Sequence, residues 1–111
     1  MKTTYHSEYL KLKSIYLKPA KNAFVSDVHL SEQWKGLNYL SQPDFDSAID
    51  EYKDFIVSLD ETEINYFPFD DTVEIDSIYC RDASIATNFG MIICNMGKAG
   101  RALEPKFHQQ F

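Results

Sequence analysis

The stretch Asp76-Ser-Ile-Tyr-Cys-Arg-Asp82, with the later segment Gly97-Lys-Ala-Gly-Arg101, holds the two residues around which this sequence is organised. The carboxylate of Asp82 can hold a planar cation through two parallel hydrogen bonds. The guanidinium of Arg101 can hold a carboxylate in the same forked geometry. A ligand that carries both groups, such as arginine or a relative, would be bound at both ends. We therefore predict a ligand site formed by Asp82 and Arg101.

The pattern Asp-x-x-Tyr-x-Arg-Asp, then a glycine-containing turn and an arginine nineteen positions after the second aspartate, resembles the guanidino-group-modifying superfamily. This superfamily includes dimethylarginine dimethylaminohydrolases, arginine deiminases and amidinotransferases. The resemblance covers the chain from about residue 14 to residue 104. It implies the pentein fold, a five-bladed α/β propeller. Residues 1–111 would then be a single partial domain, the first blade and the start of the second.

The resemblance also implies roles for individual residues. Asp82 corresponds to the family's guanidinium-binding aspartate, and Arg101 to the arginine that meets the substrate carboxylate. Asp76 lies where the dimethylarginine branch has a substrate-side aspartate, and Tyr79 lies at the family's aromatic position. Arg81 departs from the Glu-Asp of some dimethylarginine hydrolases and is closer to the Arg-Asp of deiminases and amidinotransferases. The guanidino substrate, and the choice between hydrolysis and amidino transfer, therefore stay open.

Catalysis in this family is covalent: a cysteine thiolate attacks the guanidinium carbon and a histidine moves the proton. The resemblance implies that both residues come from later blades, so this chain would be an N-terminal fragment that is inactive alone. It implies no cofactor and no metal. Cys80 and Cys94 lie in apolar, strand-like sequence without metal-type spacing, and we predict buried thiols rather than nucleophiles.

Composition excludes several classes of protein. Hydrophobic residues make up 44% of the chain and aromatic residues 14%, which indicates a globular protein rather than a disordered one. The formal net charge of -6 argues against non-specific binding to nucleic acid or to an anionic membrane. The polar start of the chain is unlike a signal peptide, and no apolar run reaches the ~18 residues of a spanning helix. These features predict a cytoplasmic protein.

Hydrophobic periodicity and turn residues predict the secondary structure. The predicted elements are a strand at 14–17, a short core-facing helix at 31–40, a helix from Pro43 to about residue 59, a strand at 62–67, a hairpin of 83–87 with 91–95, and a helix that opens after Arg101. Because helices separate the first two strands, we expect those strands to be parallel. The apolar hairpin arms suggest burial on both faces, whereas Lys18 is expected to be an exposed loop residue.

An alternative to the enzyme is a non-catalytic module that binds a small ligand or a protein partner. A single blade would leave strand edges and an apolar face uncovered. Such a surface favours a homo-oligomer, or association with the missing C-terminal part. The partner expected for the enzyme is a small guanidino compound.

Overall fold

Two separate two-stranded sheets organise the chain in a computed structural model, which describes residues 9–111. The first sheet pairs β1 (Ser14–Leu17) with β2 (Glu63–Tyr66) in parallel, with Ser14 opposite Glu63 and Leu17 opposite Tyr66. Helices α1 (Ala20–Phe24), α2 (Asp27–Gln33) and α3 (Phe45–Ser58) connect the two strands. The predicted crossover unit with parallel strands is therefore confirmed.

Helix α3 begins at a strong cap. The Asp44 side chain accepts a 2.8 Å hydrogen bond from the backbone N–H of Ser47, which satisfies one of the free donors of the first turn. Pro43 lies just before this cap, not in the first turn as predicted. The residues of the apolar face that pack on the core are half-buried: Phe45, Ala48, Ile49 and Tyr52. Helix α3 is thus a partly covered surface helix.

Helix α2 starts earlier than predicted, at Asp27 instead of residue 31. The Ser26 hydroxyl accepts a 3.2 Å hydrogen bond from the His29 backbone and so sets the first turn. The helix ends at Gln33, and Asn38 has a left-handed φ of 67° that interrupts the helical repeat. Leu37 is buried in the core, but Leu40 is fully exposed. Its predicted core position is therefore wrong.

The second sheet is an antiparallel hairpin of β3 (Ser84–Thr87) and β4 (Gly90–Ile93), as predicted. Gly90 closes the turn with a φ of 136°, a conformation that side chains rarely adopt. The prediction that the arms are buried on two faces is wrong. Ile85 and Ile92 are more than half exposed, since the main element packed on the hairpin is the short helix α4 (Glu104–His108).

The stretch that carries the motif is not strand. Ile75–Ile78 forms a 3₁₀ turn, in which the N–H of Ser77 bonds to Glu74 and that of Tyr79 to Asp76. Residues 80–83 then turn into β3. A second 3₁₀ turn, Ala99–Arg101, precedes α4. Short turns therefore carry the four predicted site residues. The assignment of the whole to a propeller blade stays a prediction.

None of the helices in the described part of the chain combines the length and the apolar character needed to cross a membrane.

Candidate functional site

The guanidinium of Arg101 is the centre at which three of the four predicted site residues meet, Arg101 itself, Asp82 and Tyr79. Its Nη1 donates to Oδ2 of Asp82 at 3.3 Å, and its Nη2 donates to the backbone carbonyl of Tyr79 at 2.7 Å. Nε and Nη2 also form a two-pronged pair with the carboxylate of Glu104, at 2.9 and 2.8 Å. The Arg101 side chain is only 9% exposed. Asp82 and Arg101 thus contact each other directly, with no ligand-sized gap between them.

Glu104 is the partner that the sequence analysis missed. It is 1% exposed, and it follows Arg101 by three positions, a spacing at which side chains on one helical turn meet. The Glu104 carboxylate raises the pKa of Arg101, while burial raises the pKa of Glu104 itself and the Arg101 hydrogen bonds oppose that rise. The spacing was visible in the sequence, but the burial was not.

Asp82 is the solvent-exposed member of the charged cluster formed by Arg101, Glu104 and Asp82. Its side chain is 55% exposed, and the exposed Arg81 guanidinium lies 3.9 Å away. One carboxylate oxygen, Oδ2, faces Arg101, and the solvent reaches the rest of the group. Such a carboxylate can bind a cation from outside while a buried arginine holds it in place.

Asp76 occupies a different environment. Its side chain is 3% exposed and accepts a 2.6 Å hydrogen bond from Nζ of Lys98, which also donates to the Leu37 carbonyl. The buried Tyr39 hydroxyl lies beside it, and burial together with the Asp76 charge raises the pKa of Tyr39. Asp76 therefore forms a partly buried ion pair that connects the Ile75–Ile78 turn to the glycine segment.

Gly100 lets that glycine segment lie close to the core. A Cβ at this position would lie 2.5 Å from Cδ2 of Leu37 and 3.0 Å from Oε2 of Glu74. Gly97, three residues earlier, has nothing within 4 Å of the same point. The close approach at Gly100 positions the turn that presents Arg101.

Gly100→Ala should lower the free energy of unfolding by about 1–3 kcal/mol, because the added methyl group overpacks the buried Leu37. Gly97→Ala is the matched control and should be neutral or slightly stabilising. Urea unfolding followed by the fluorescence of the single Trp34 measures both variants. Equal effects of the two substitutions would contradict the close-approach argument.

A groove of about 730 Å³ lies between the two sheets, beside this cluster. We call it the inter-sheet groove. All four residues of β1 line it, and so does the hairpin through Ser84, Ala86 and Thr87 of β3 and Gly90 and Met91 of β4. Tyr79, half exposed, and Arg81 lie on its wall. Of the four predicted site residues, Tyr79 alone lines the groove, and the other three do not.

The groove also holds a buried pair that the sequence analysis did not find. Oγ of Ser84 lies 2.9 Å from Nδ1 of His108, and the imidazole stacks on Phe67 with centroids 4.5 Å apart. Burial, together with the Arg101 and Lys18 charges, lowers the pKa of His108, so the ring is neutral at pH 7. The two residues are 24 positions apart, and no local pattern links them.

The prediction that Lys18 is an exposed loop residue is wrong, because Lys18 is only 1% exposed. Its Nζ donates to the Pro68 carbonyl at 2.6 Å and lies 4.5 Å from the Phe107 ring centroid. Burial lowers the pKa of Lys18 and raises the pKa of the nearby Cys80 thiol. A raised thiol pKa is opposite to what a nucleophile needs.

Within residues 9–111, no group of three or more acidic, histidine or cysteine side chains is arranged to hold a metal ion.

Comparison with family models, with curated proteins and with solved structures finds no match to this chain.

Proposed function

We propose that this chain supplies the guanidinium-binding part of a guanidino-group-modifying enzyme that acts on arginine or an arginine derivative. The proposal rests on one observation: the carboxylate of Asp82 is half exposed to solvent, and one of its oxygens is paired with the buried Arg101 guanidinium. Tyr79, whose backbone carbonyl also accepts from Arg101, lies on the groove wall. A substrate guanidinium would bind the exposed side of Asp82 through charge-assisted hydrogen bonds.

Arg101 enters this proposal mainly as a positioning residue. Four of its five N–H donors bond to Glu104, Asp82 and the Tyr79 carbonyl, which leaves one N–H of Nη1 for a substrate carboxylate. Arg101 can bind that carboxylate through two parallel hydrogen bonds only if its ion pair with Glu104 breaks. The carboxylate-binding role of Arg101 and the substrate-side role of Asp76 stay predictions.

In the proposed enzyme, the nucleophile and the histidine that transfers the proton lie outside these 111 residues. Cys80 is a poor nucleophile because burial favours its protonated thiol. The chain binds and orients the guanidinium, and positioning of that kind lowers the barrier for attack on the central carbon. Hydrolysis and amidino transfer share this binding step.

Asp82→Asn should weaken agmatine binding about 10- to 100-fold, because it removes the charge that pairs with the guanidinium. Agmatine carries the guanidinium without the carboxylate, so equal affinities for arginine and agmatine are expected if Arg101 only positions Asp82. Isothermal titration calorimetry measures both ligands. Asp71→Asn, at an exposed aspartate elsewhere, is the matched control. No agmatine binding by the wild-type chain, or an unchanged affinity in Asp82→Asn, would refute the proposal.

A second candidate is a non-catalytic interaction module. It is favoured by the apolar side chains left exposed on the hairpin, where Phe89 is 70% exposed and Ile85 53%. A surface of this kind is suited to association with a second copy of the chain or with another polypeptide. It does not require Asp82 to bind a ligand, so the Asp82→Asn titration separates the two candidates.

A further inference from the structure

Helix α4 depends on its tertiary contacts, because a helix of five residues is not stable by itself in water. Near its C-terminal end the imidazole of His108 stacks on the buried Phe67 ring, with centroids 4.5 Å apart and planes 19° apart. The rings of Phe107 and Phe111 contact the same Phe67 ring at centroid distances of 5.5 and 5.4 Å. The C-terminal segment is therefore attached through three rings that pack on one buried side chain.

The His108 ring is packed where a charge would have no counter-ion. The residue is 7% exposed, and the Ser84 hydroxyl lies 2.9 Å from Nδ1. A hydroxyl can bond to either protonation state of the ring, but it carries no charge to offset an imidazolium. Within residues 9–111, no ion pair joins His108 to a carboxylate. Protonation of the docked ring would thus bury an unpaired charge, which is unfavourable.

The charges that act on His108 from other elements are positive. Lys18 follows β1, and its Nζ lies 4.5 Å from the ring centroid of Phe107, the residue next to His108. Arg101 belongs to the 3₁₀ turn that precedes α4. Burial lowers the pKa of His108 most, and the Arg101 and Lys18 charges lower it further. Packing and local charge therefore both oppose a protonated ring.

The other titratable groups around α4 do not supply the missing negative charge. The Glu104 carboxylate, on α4 itself, already accepts two hydrogen bonds from Arg101. Lys106 is exposed on the same helix. Cys80 packs against the buried aromatic cluster, and burial raises the pKa of its thiol, which is therefore uncharged at pH 7. Strands β3 and β4 consist of residues that do not titrate. A proton on His108 would remain uncompensated while α4 is docked.

We infer that α4 is a pH-sensitive switch: protonation of His108 in mildly acidic solution releases the helix from Phe67 and opens the inter-sheet groove. His108 and Phe111 both line that groove, so their release widens it at this end. In neutral solution the uncharged ring keeps α4 docked. The switch concerns the position of α4 and does not depend on guanidinium binding at Asp82.

The direction of the pH effect follows from where the proton binds more tightly. A released His108 ring has its ordinary pKa of 6.5, and the docked ring has a lower pKa. The released state therefore binds the proton more strongly, so docking is complete above pH 6.5 and weakens as the pH falls below that value. The ratio of released to docked helix should be about tenfold higher at pH 5.5 than at pH 7.5.

The test is amide hydrogen exchange, followed by mass spectrometry at both pH values and corrected for the pH dependence of exchange itself. The wild-type chain should lose about tenfold in protection across 104–111, where the N–H of Phe107 bonds to Leu103, while helix α3 keeps its protection. His108→Gln keeps a hydrogen-bonding side chain that cannot be protonated, and should abolish this loss. His29→Gln, the same substitution on α2, is the matched control and should respond like the wild type.

An equal loss of protection in His108→Gln would overturn the inference, because another group would then carry the response. An equal loss across α3 would also overturn it, because the whole chain would then unfold. An NMR titration of the folded wild-type chain gives a test that needs no folded variant. A His108 ring that titrates at 6.5 or above would overturn the switch, and a lower midpoint with local loss of α4 protection would support it.

Discussion

Replacing Glu104 with glutamine should lower the free energy of unfolding by about 3 kcal/mol. The substitution leaves the Arg101 guanidinium buried without the carboxylate that accepts two of its hydrogen bonds. Domains of this size have total stabilities of about 5–15 kcal/mol, so the variant would lose about a fifth to three fifths of its stability. Urea unfolding followed by Trp34 fluorescence measures the change, provided that the slope with denaturant is preserved.

The chain offers a matched control at its surface. Lys11 and Glu61 form an ion pair of the same 2.8 Å length, but their side chains are 71% and 70% exposed. Glu61→Gln should therefore cost less than about 1 kcal/mol. The double variant Arg101→Met/Glu104→Leu should be more stable than Glu104→Gln, since it leaves neither charge of this pair buried without the other.

The outcome at Glu104 bears directly on the function. If Glu104→Gln costs no more than Glu61→Gln, the Arg101 guanidinium does not depend on its buried partner and is free to meet a substrate carboxylate. A large cost means that Glu104 holds Arg101 as a fixed support for Asp82. The agmatine and arginine titrations give an independent reading of the same question.

Local rules predicted the elements of this fold well. The parallel pairing of β1 and β2 followed from the intervening helices, and the β3–β4 hairpin followed from Gly90 between two apolar runs. Errors arose where the chain leaves a regular repeat. Leu40 continues the three-residue spacing of Trp34 and Leu37, but the left-handed Asn38 turns it towards the solvent.

The site was less predictable because its contacts join distant parts of the chain. The sequence predicted that Asp82 and Arg101 form one site with a ligand bound to both. In the structure they do lie together, but they contact each other directly. Lys18 looked like a loop residue, since nothing local reveals that Phe107 and Pro68 cover it. The Ser84–His108 pair likewise depends on the packing of α4 against the hairpin. Burial of a charged side chain is set by tertiary packing, which residue spacing does not encode.

Lys98→Met should also lower the free energy of unfolding by about 3 kcal/mol, because it removes the cation from a nearly fully buried Asp76 and a donor from the Leu37 carbonyl. Lys106→Met, at an exposed lysine on α4, is the matched control and should change stability by less than about 0.5 kcal/mol. Asp76→Asn/Lys98→Met should recover part of the loss by removing the unpaired charge. The same urea titration measures all three variants.

This ion pair should also affect ligand binding through the geometry of the site. Lys98 joins the Ile75–Ile78 turn to the segment that carries Arg101, and Arg101 in turn holds Asp82. Loosening that connection should weaken agmatine binding in Lys98→Met even under conditions where the variant is fully folded. A normal affinity in a folded but destabilised Lys98→Met would show that Asp82 is positioned without Asp76. If stability is also unchanged, Asp76 is hydrated instead of buried, and a direct contact with substrate becomes its better assignment.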